Sequence, residues 1–234
     1  MTADTIPQTQ AAEKLNPEFD IPLEQVEGII KTKVNGDCAG YDRVIPPRAL
    51  VQVKNIWFLK REVFEALIKH IPLRGFPDVF PYRDAEIDVF DIQPRGFDIG
   101  QTFVLERKIL DIMQNLEGKL FSRFCTRGIS SMPPVQLYGL DADGKKAMAF
   151  YIPPIIEIHQ VPVLIDGVHR SYLCNAAGTT IHAVHVRNVS EQLPFDSVFW
   201  EDCSLVKEKP PREQRYRNLK MDYFRALNAV GIDG

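Results

Sequence analysis

Four cysteines stand in 234 residues, and no two of them are close. Cys38, Cys125, Cys174 and Cys203 form no C-x-x-C pair, so neither zinc-ribbon spacing nor a disulfide framework is indicated. Free thiols are expected, with a disulfide between two of these sites left open. No apolar run approaches the ~18 residues that span a bilayer. The first twenty residues are polar and slightly acidic, and lack the basic start and apolar stretch of a signal peptide. A cytoplasmic protein without a membrane segment is the expectation. Positive charge is not in excess either: the net charge is −3, which argues against gripping nucleic-acid phosphates with a broad basic face. It leaves room for a local cationic pocket.

Several chemical signatures are also missing. There is no Walker A, G-x-G-x-x-G or His-Glu-x-x-His motif, and no Gly-x-Ser-x-Gly elbow. Asp141-x-Asp143-Gly144 starts like a calcium loop, but the third acidic ligand and the closing glutamate are lacking. It reads as a hairpin tip. His182 and His185 are three apart in a predicted strand, so they face opposite sides and make no two-histidine metal site. No metal site is expected. What remains is an ordinary globular composition, 45% hydrophobic and 25% charged, able to build a core without staples.

Along the chain, residues 1–20 read as a loose arm and Asn35-Gly36-Asp37 as a turn. A β-prone stretch, 49–57, precedes a helix over 60–70 with Val63, Phe64, Leu67 and Ile68 on one face. A strand is predicted at 87–92. A helix follows from about Thr102 to Leu116, with Thr102 as N-cap. Strands at 135–140 and 146–152 flank the Asp143-Gly144 turn. A strand is predicted over 157–165, then a short helix from about His169 to Ala177 ending at Gly178, then a strand at 180–186. An amphipathic helix is predicted over 214–230, with Tyr216, Leu219, Tyr223, Leu227 and Val230 as its stripe.

The stretch Val163-Leu-Ile-Asp-Gly-Val-His-Arg-Ser171 carries the most chemical information. A strand ends, Asp166-Gly167 turns the chain, and a helix begins. A helix start offers unpaired N–H groups and the positive end of its dipole. Gly167 permits close backbone approach, and His169, Arg170 and Ser171 add side-chain donors. The combination suits phosphate. Asp166 can cap the helix, orient His169, or bind a metal or a ribose hydroxyl. In the alternative reading Asp166 caps the helix and His169 and Arg170 are solvated. Glu157 and His159 share one face of their strand, making Glu157 a candidate base; a partly exposed polar edge is the alternative. Phe195, Phe199 and Trp200 read as core or as a cover over the pocket.

The run VPVLIDGVHRSYLCNAAGTTIHAVHV resembles the core of the ParB/sulfiredoxin superfamily. The match spans about residues 86–190 and is specific only at Asp166–Arg170. It implies an α+β fold: a ParB/sulfiredoxin-like mixed sheet with short helices, flanked by an N-terminal extension (1–85) and a C-terminal segment with a helix (191–234). It also implies a nucleotide-phosphate cradle at the turn, with Gln101, Thr126 and Arg127 lining the same pocket. The cysteine that sulfiredoxins place before the His-Arg pair is Val168 here, so sulfinic-acid reduction is not expected. The resemblance implies a nucleotide-dependent phosphotransferase or nucleotide hydrolase. Gly167, Arg170, Ser171, Arg127, Thr126 and Gln101 would bind ATP, ADP or CTP, with or without Mg²⁺, and Asp166, His169 and Glu157 would do the chemistry on a small-molecule acceptor. A non-catalytic nucleotide-sensing module and a ParB-like DNA nuclease are the alternatives, and a homodimer is left open.

Overall fold

The computed structural model describes residues 19–34, 40–114 and 132–233. The fold is mixed α+β, as the sequence predicts. Two five-stranded sheets face each other. The first has the order β1-β2-β8-β7-β3, from β1 (Ile21–Pro22), β2 (Arg43–Val44), β3 (Gln52–Phe58), β7 (Val135–Leu140) and β8 (Lys146–Tyr151). The second has the order β4-β11-β9-β10-β5, from β4 (Glu86–Ile92), β5 (Asp98–Ile99), β9 (Ile155–Ile158), β10 (Pro162–Asp166) and β11 (Ile181–Arg187). It is mixed: β11 runs parallel to β9 and antiparallel to β4, and β10 runs parallel to β5 and antiparallel to β9. A two-stranded ladder joins β6 (Phe103–Leu105) to β12 (Ser204–Val206).

The main core lies between the sheets. Val44, Tyr138, Met148 and Phe150 of the first meet Ile87, Ile155, Val184 and Val186 of the second. Two helices add to it. α1 (Leu23–Ile30) contributes Val26 and Ile30, and α2 (Arg61–Lys69) contributes Val63, Phe64, Leu67 and Ile68, the four positions its 3.6-residue period selects. On its other face the second sheet packs Ile156, Leu164 and Ala183 against Cys174 of α4 (Val168–Ala176). α3 (Glu106–Gln114) follows β6.

The β7–β8 hairpin matches its predicted bounds except that β8 ends at Tyr151, one residue early, with Gly144 at φ +77° in the turn. It pairs with β3 and β2, so strands from within the first 85 residues share a sheet with residues from within 86–190.

Three predicted elements differ. The strand expected over 157–165 is two antiparallel strands; the chain reverses at His159–Val161, where the His159 amide donates to the Val161 carbonyl at 3.3 Å. The apolar alternation runs on either side of the turn and conceals it, and Pro162 opens the second strand rather than bending one. Thr102 caps no helix. Its hydroxyl donates to the Gln214 carbonyl at 2.7 Å, residues 103–105 form β6, and α3 begins at Glu106.

The C-terminal helix is absent. Residues 212–230 carry three short 3-10 turns: Arg212–Gln214, Met221–Tyr223 and Leu227–Val230. Their backbone bonds run sideways: Arg74 donates to the Phe224 carbonyl, Gly75 to Asp222, Lys220 to Pro194, and Ala226 donates to Pro72. Asn218, at φ +47°, breaks any helical path. The apolar spacing is real, but each residue is used locally.

This C-terminal segment is pinned by Arg225. Its Nε and Nη2 donate to the two oxygens of Glu157, at 2.7 and 2.9 Å, and both side chains are fully buried. Tyr82 donates to the same carboxylate at 2.5 Å, and His159 Nε2 lies 2.7 Å from it. Burial opposes the charge on Glu157, but His159, Arg225 and Tyr82 outweigh it and hold the carboxyl below its ordinary 4.5. The pairing therefore stabilises the fold above about pH 4.5 and is lost as pH falls through the depressed value. Arg225→Ala strands a buried carboxylate and should cost about 3–5 kcal/mol in urea unfolding at pH 7. Arg225→Met with Glu157→Gln should recover part of that loss. An Arg225→Ala loss under about 1 kcal/mol would mean that the pair is not shielded as its geometry indicates.

Candidate functional site

The turn between β10 and α4 is set by packing. Gly167 has φ +90°, and a Cβ there would lie 2.7 Å from Pro154 Cβ. Only glycine fits both the conformation and the space. Pro153-Pro154 carries the chain from β8 to β9, and Arg170 fastens the turn to that crossing. Its Nη1 donates to the Ile152 carbonyl at 2.8 Å, its guanidinium sits 4.9 Å over the Tyr151 ring, and its Nη2 lies 3.6 Å from Asp166 Oδ2. Arg170 is thus no solvated side chain.

α4 starts at Val168 with Gly167 as N-cap and no side-chain cap from it. Asp166 therefore does not serve as N-cap; it accepts from the Gly167 amide instead. The amides of Val168 and His169 have no acceptor within the helix. Ser171 donates its own amide to the Gly167 carbonyl, at 3.0 Å, while its Oγ is buried with no partner. A buried hydroxyl left unpaired is unfavourable by about 1–3 kcal/mol, so such groups mark places where something binds or a water sits.

His169 Nε2 accepts from the Leu105 amide at 3.1 Å, which puts the imidazole proton on Nδ1. Burial, then Lys108, then Arg170 drive its pKa down to about 3. The ring is neutral at pH 7. Burial raises the Asp166 carboxyl above its ordinary 3.8 against the opposing pull of Arg170, the Gly167 amide and Lys108. Tyr216 is pushed up to about 12 by burial and then by the Asp166 charge.

The site therefore joins Asp166, Gly167, His169, Arg170 and Ser171 with Lys108 from α3 and Tyr216 from the C-terminal segment. The last two were not assigned from sequence as site residues. Lys108 lies on an exposed helix flank with nothing to distinguish it from other lysines. Tyr216 reads as one member of an apolar stripe.

Of the other expected residues, Gln101 touches the site only through Tyr216, and Glu157 lies elsewhere. Gln101 spends its amide locally: Nε2 donates to the Phe103 carbonyl at 2.6 Å, and Oε1 lies 3.4 Å from the Tyr216 hydroxyl. It braces the segment that leads to Leu105. Glu157 pairs with Val163, three residues before Asp166, and is consumed by Arg225, Tyr82 and His159. Thr126 and Arg127, like the 35–37 turn, fall outside the described residues. Phe195 is buried, stacked on Tyr216 at 5.2 Å, whereas Phe199 is exposed. His182 bonds Asp91 at 2.8 Å on one face of β11, and His185 is buried beneath Phe90 on the other. Among the described residues no group of three His, Cys, Asp or Glu is placed to hold a metal ion, and no helix is long and apolar enough to cross a membrane.

No family model, curated protein or solved structure matches this chain. The geometry of the turn is the ground on which a function is argued.

Two depressed imidazoles make the fold acid-sensitive. His169 titrates at about 3 and His185 at about 4, against 6.5 when unfolded. Above pH 6.5 neither state holds the extra proton. Below it the unfolded chain binds a proton that the folded chain refuses, so stability falls with falling pH. Each group removes at most about 2 kcal/mol between pH 6.5 and 5. Urea unfolding across that range should show the slope, and His169→Gln should flatten it. An unchanged slope in His169→Gln would show that this imidazole is not shielded.

Proposed function

We propose that the β10–α4 turn binds the phosphate of a nucleotide, and that the chain is a phosphotransferase or nucleotide hydrolase of ParB/sulfiredoxin-like type. The observation that carries this is the uncapped start of α4, with the buried, unpartnered Ser171 Oγ in its first turns and the cations Arg170 and Lys108 acting on it. A helix start of this kind favours an anion. His169 enters as a neutral Nδ1–H donor, because its Nε2 is engaged by Leu105.

Asp166 is the carboxylate available for chemistry at this turn. Its raised pKa suits a general base that takes the proton of an incoming hydroxyl. Mg²⁺, where it takes part, would be held by phosphate oxygens with Asp166 as the protein ligand offered here; it would neutralise charge developing on the transferred phosphoryl group. Phosphate binding without turnover is the second reading. It is favoured by Glu157, the other candidate base, being consumed in an ion pair. A cytoplasmic setting, in which Cys174 and Cys203 stay free thiols, fits either reading.

Thermal shift and phosphate release should be followed with ATP, ADP and CTP, with and without Mg²⁺. Binding should weaken about tenfold in Lys108→Ala, a loss of roughly 1.4 kcal/mol from one exposed cation. Asp166→Asn should keep binding and lose phosphate release. Because folding favours the protonated form of Asp166, the same variant should not lower the melting temperature. Binding that survives in the wild type with no release establishes the sensing module. No shift with any nucleotide would sink both readings.

A further inference from the structure

Two seven-residue strands lie at sheet edges: β4 in the second sheet and β3 in the first. An edge strand offers unpaired N–H and C=O groups to any passing strand, and soluble proteins blunt such edges with charge. β4 is blunted. It carries Glu86, Asp88 and Asp91 within seven residues. Arg187 bridges Glu86 at 3.2 Å and Asp88 at 2.5 Å, and His182 holds Asp91.

β3 is not treated this way. Its apolar residues are Val53 and, in succession, Ile56, Trp57 and Phe58. Val51, Trp57 and Phe58 are 66%, 44% and 66% exposed. The one charge in the strand, Lys54, sits at a bulge between Val53 and Asn55. Beyond the bulge the register with β7 is unbroken, from Asn55↔Tyr138 to Phe58↔Val135, and Leu59 donates to the Pro134 carbonyl at 3.1 Å. That bond fixes the alternation of the ladder. Asn55, Trp57 and Leu59 turn their backbone toward β7, so Ile56 and Phe58 turn theirs outward. Among the described residues no strand pairs with this edge. The Trp57 ring is set edge-on to Tyr138 at 6.0 Å, which holds it beside the open ladder.

Charge decides what fits there. Residues 50–61 contain three basic residues, Lys54, Lys60 and Arg61, and no acidic one, in a chain of net charge −3. Arg61 is paired with Glu65, while Lys54 and Lys60 are exposed. A second copy is disfavoured. The two-fold antiparallel register that uses both outward residues of each copy places Lys54 of one opposite Lys60 of the other, and like charges directly opposite are unfavourable. An acidic strand meets the same two lysines with attraction.

We propose that the outer edge of β3 is a docking site for an extended segment of a partner protein in which acidic and apolar residues alternate. The segment adds to the first sheet as a sixth strand. Its backbone pairs with Ile56 and Phe58, its apolar residues lie along Trp57 on one face of the sheet, and its carboxylates face Lys54 and Lys60 on the other. The proposal is independent of what α4 binds.

The probe is an acetylated, amidated hexapeptide of alternating Glu and Val, offered to the full chain, with its Lys-Val counterpart as control. Amide exchange at Ile56 and Phe58 and the Trp57 indole resonance are followed by NMR. The Glu-Val peptide should slow both amides by at least about tenfold and shift the indole, with a salt-sensitive affinity; the Lys-Val peptide should do neither. Lys54→Glu with Lys60→Glu, two exposed changes compatible with folding, should reverse that order. Three results would overturn the proposal: no protection from either peptide at millimolar concentration, equal protection from both, or Ile56 and Phe58 already protected in a dimer without peptide.

Discussion

The buried ion pair between Glu157 and Arg225 is the interaction on which the arrangement of the site depends. It fixes the C-terminal segment against β9, and that segment reaches the site by two routes. Tyr216 meets Gln101, and β12 pairs with β6. β6 ends at Leu105, whose amide holds the His169 ring. A register set in the centre of the second sheet is thereby passed to a ring at its edge. Two buried charges are a poor source of net stability, because their desolvation offsets most of their attraction. Their value here is positional. Arg225 can satisfy two carboxylate oxygens and the carbonyls of Gln192 and Tyr223 in only one placement. A hydrophobic residue at 225 would bury as well but would not select that placement.

Around the α4 start, local features work against the fold. Asp166 is kept in surroundings that favour its protonated form, His169 in surroundings that refuse a proton, and Ser171 Oγ has no partner. Each is a small loss of stability, and all three fall within six residues. Elsewhere, Glu157 and Arg225 are fully engaged, while Gln136 and His185, one in each sheet, bury side-chain atoms without a partner singly rather than in a cluster. Concentrated local disadvantage of this sort is what a binding site looks like when its ligand supplies the missing interactions.

Much of this was legible in the sequence, where physical causes were local. α2, β7, β8 and α4 follow from period and turn chemistry: Val63, Phe64, Leu67 and Ile68 share a face because of helical geometry, and Gly144 and Gly167 sit where positive φ is needed. The errors have one source. The stripe from Tyr216 to Val230 and the alternation from Glu157 to Ile165 satisfy a period, but their backbone partners are distant. Arg74, Gly75 and Pro72 claim the bonds that a C-terminal helix would make internally, and no local pattern encodes them. The site was half legible for the same reason. Asp166–Ser171 is contiguous, while Lys108 and Tyr216 arrive from residues far away in the chain. Glu157 was misjudged because its partner, Arg225, lies 68 positions on.

The position of the turn has a mechanical consequence. β8 belongs to the first sheet and β9 to the second, and Pro153-Pro154 is the covalent crossing between them. Arg170 binds the Ile152 carbonyl on one side of that crossing, and Gly167 abuts Pro154 within it. The start of α4 is therefore built on the seam between the sheets rather than on one sheet. Proline fixes φ at two positions of the crossing, so a displacement of one sheet against the other is only partly absorbed there. The remainder reaches Arg170 and Asp166 directly.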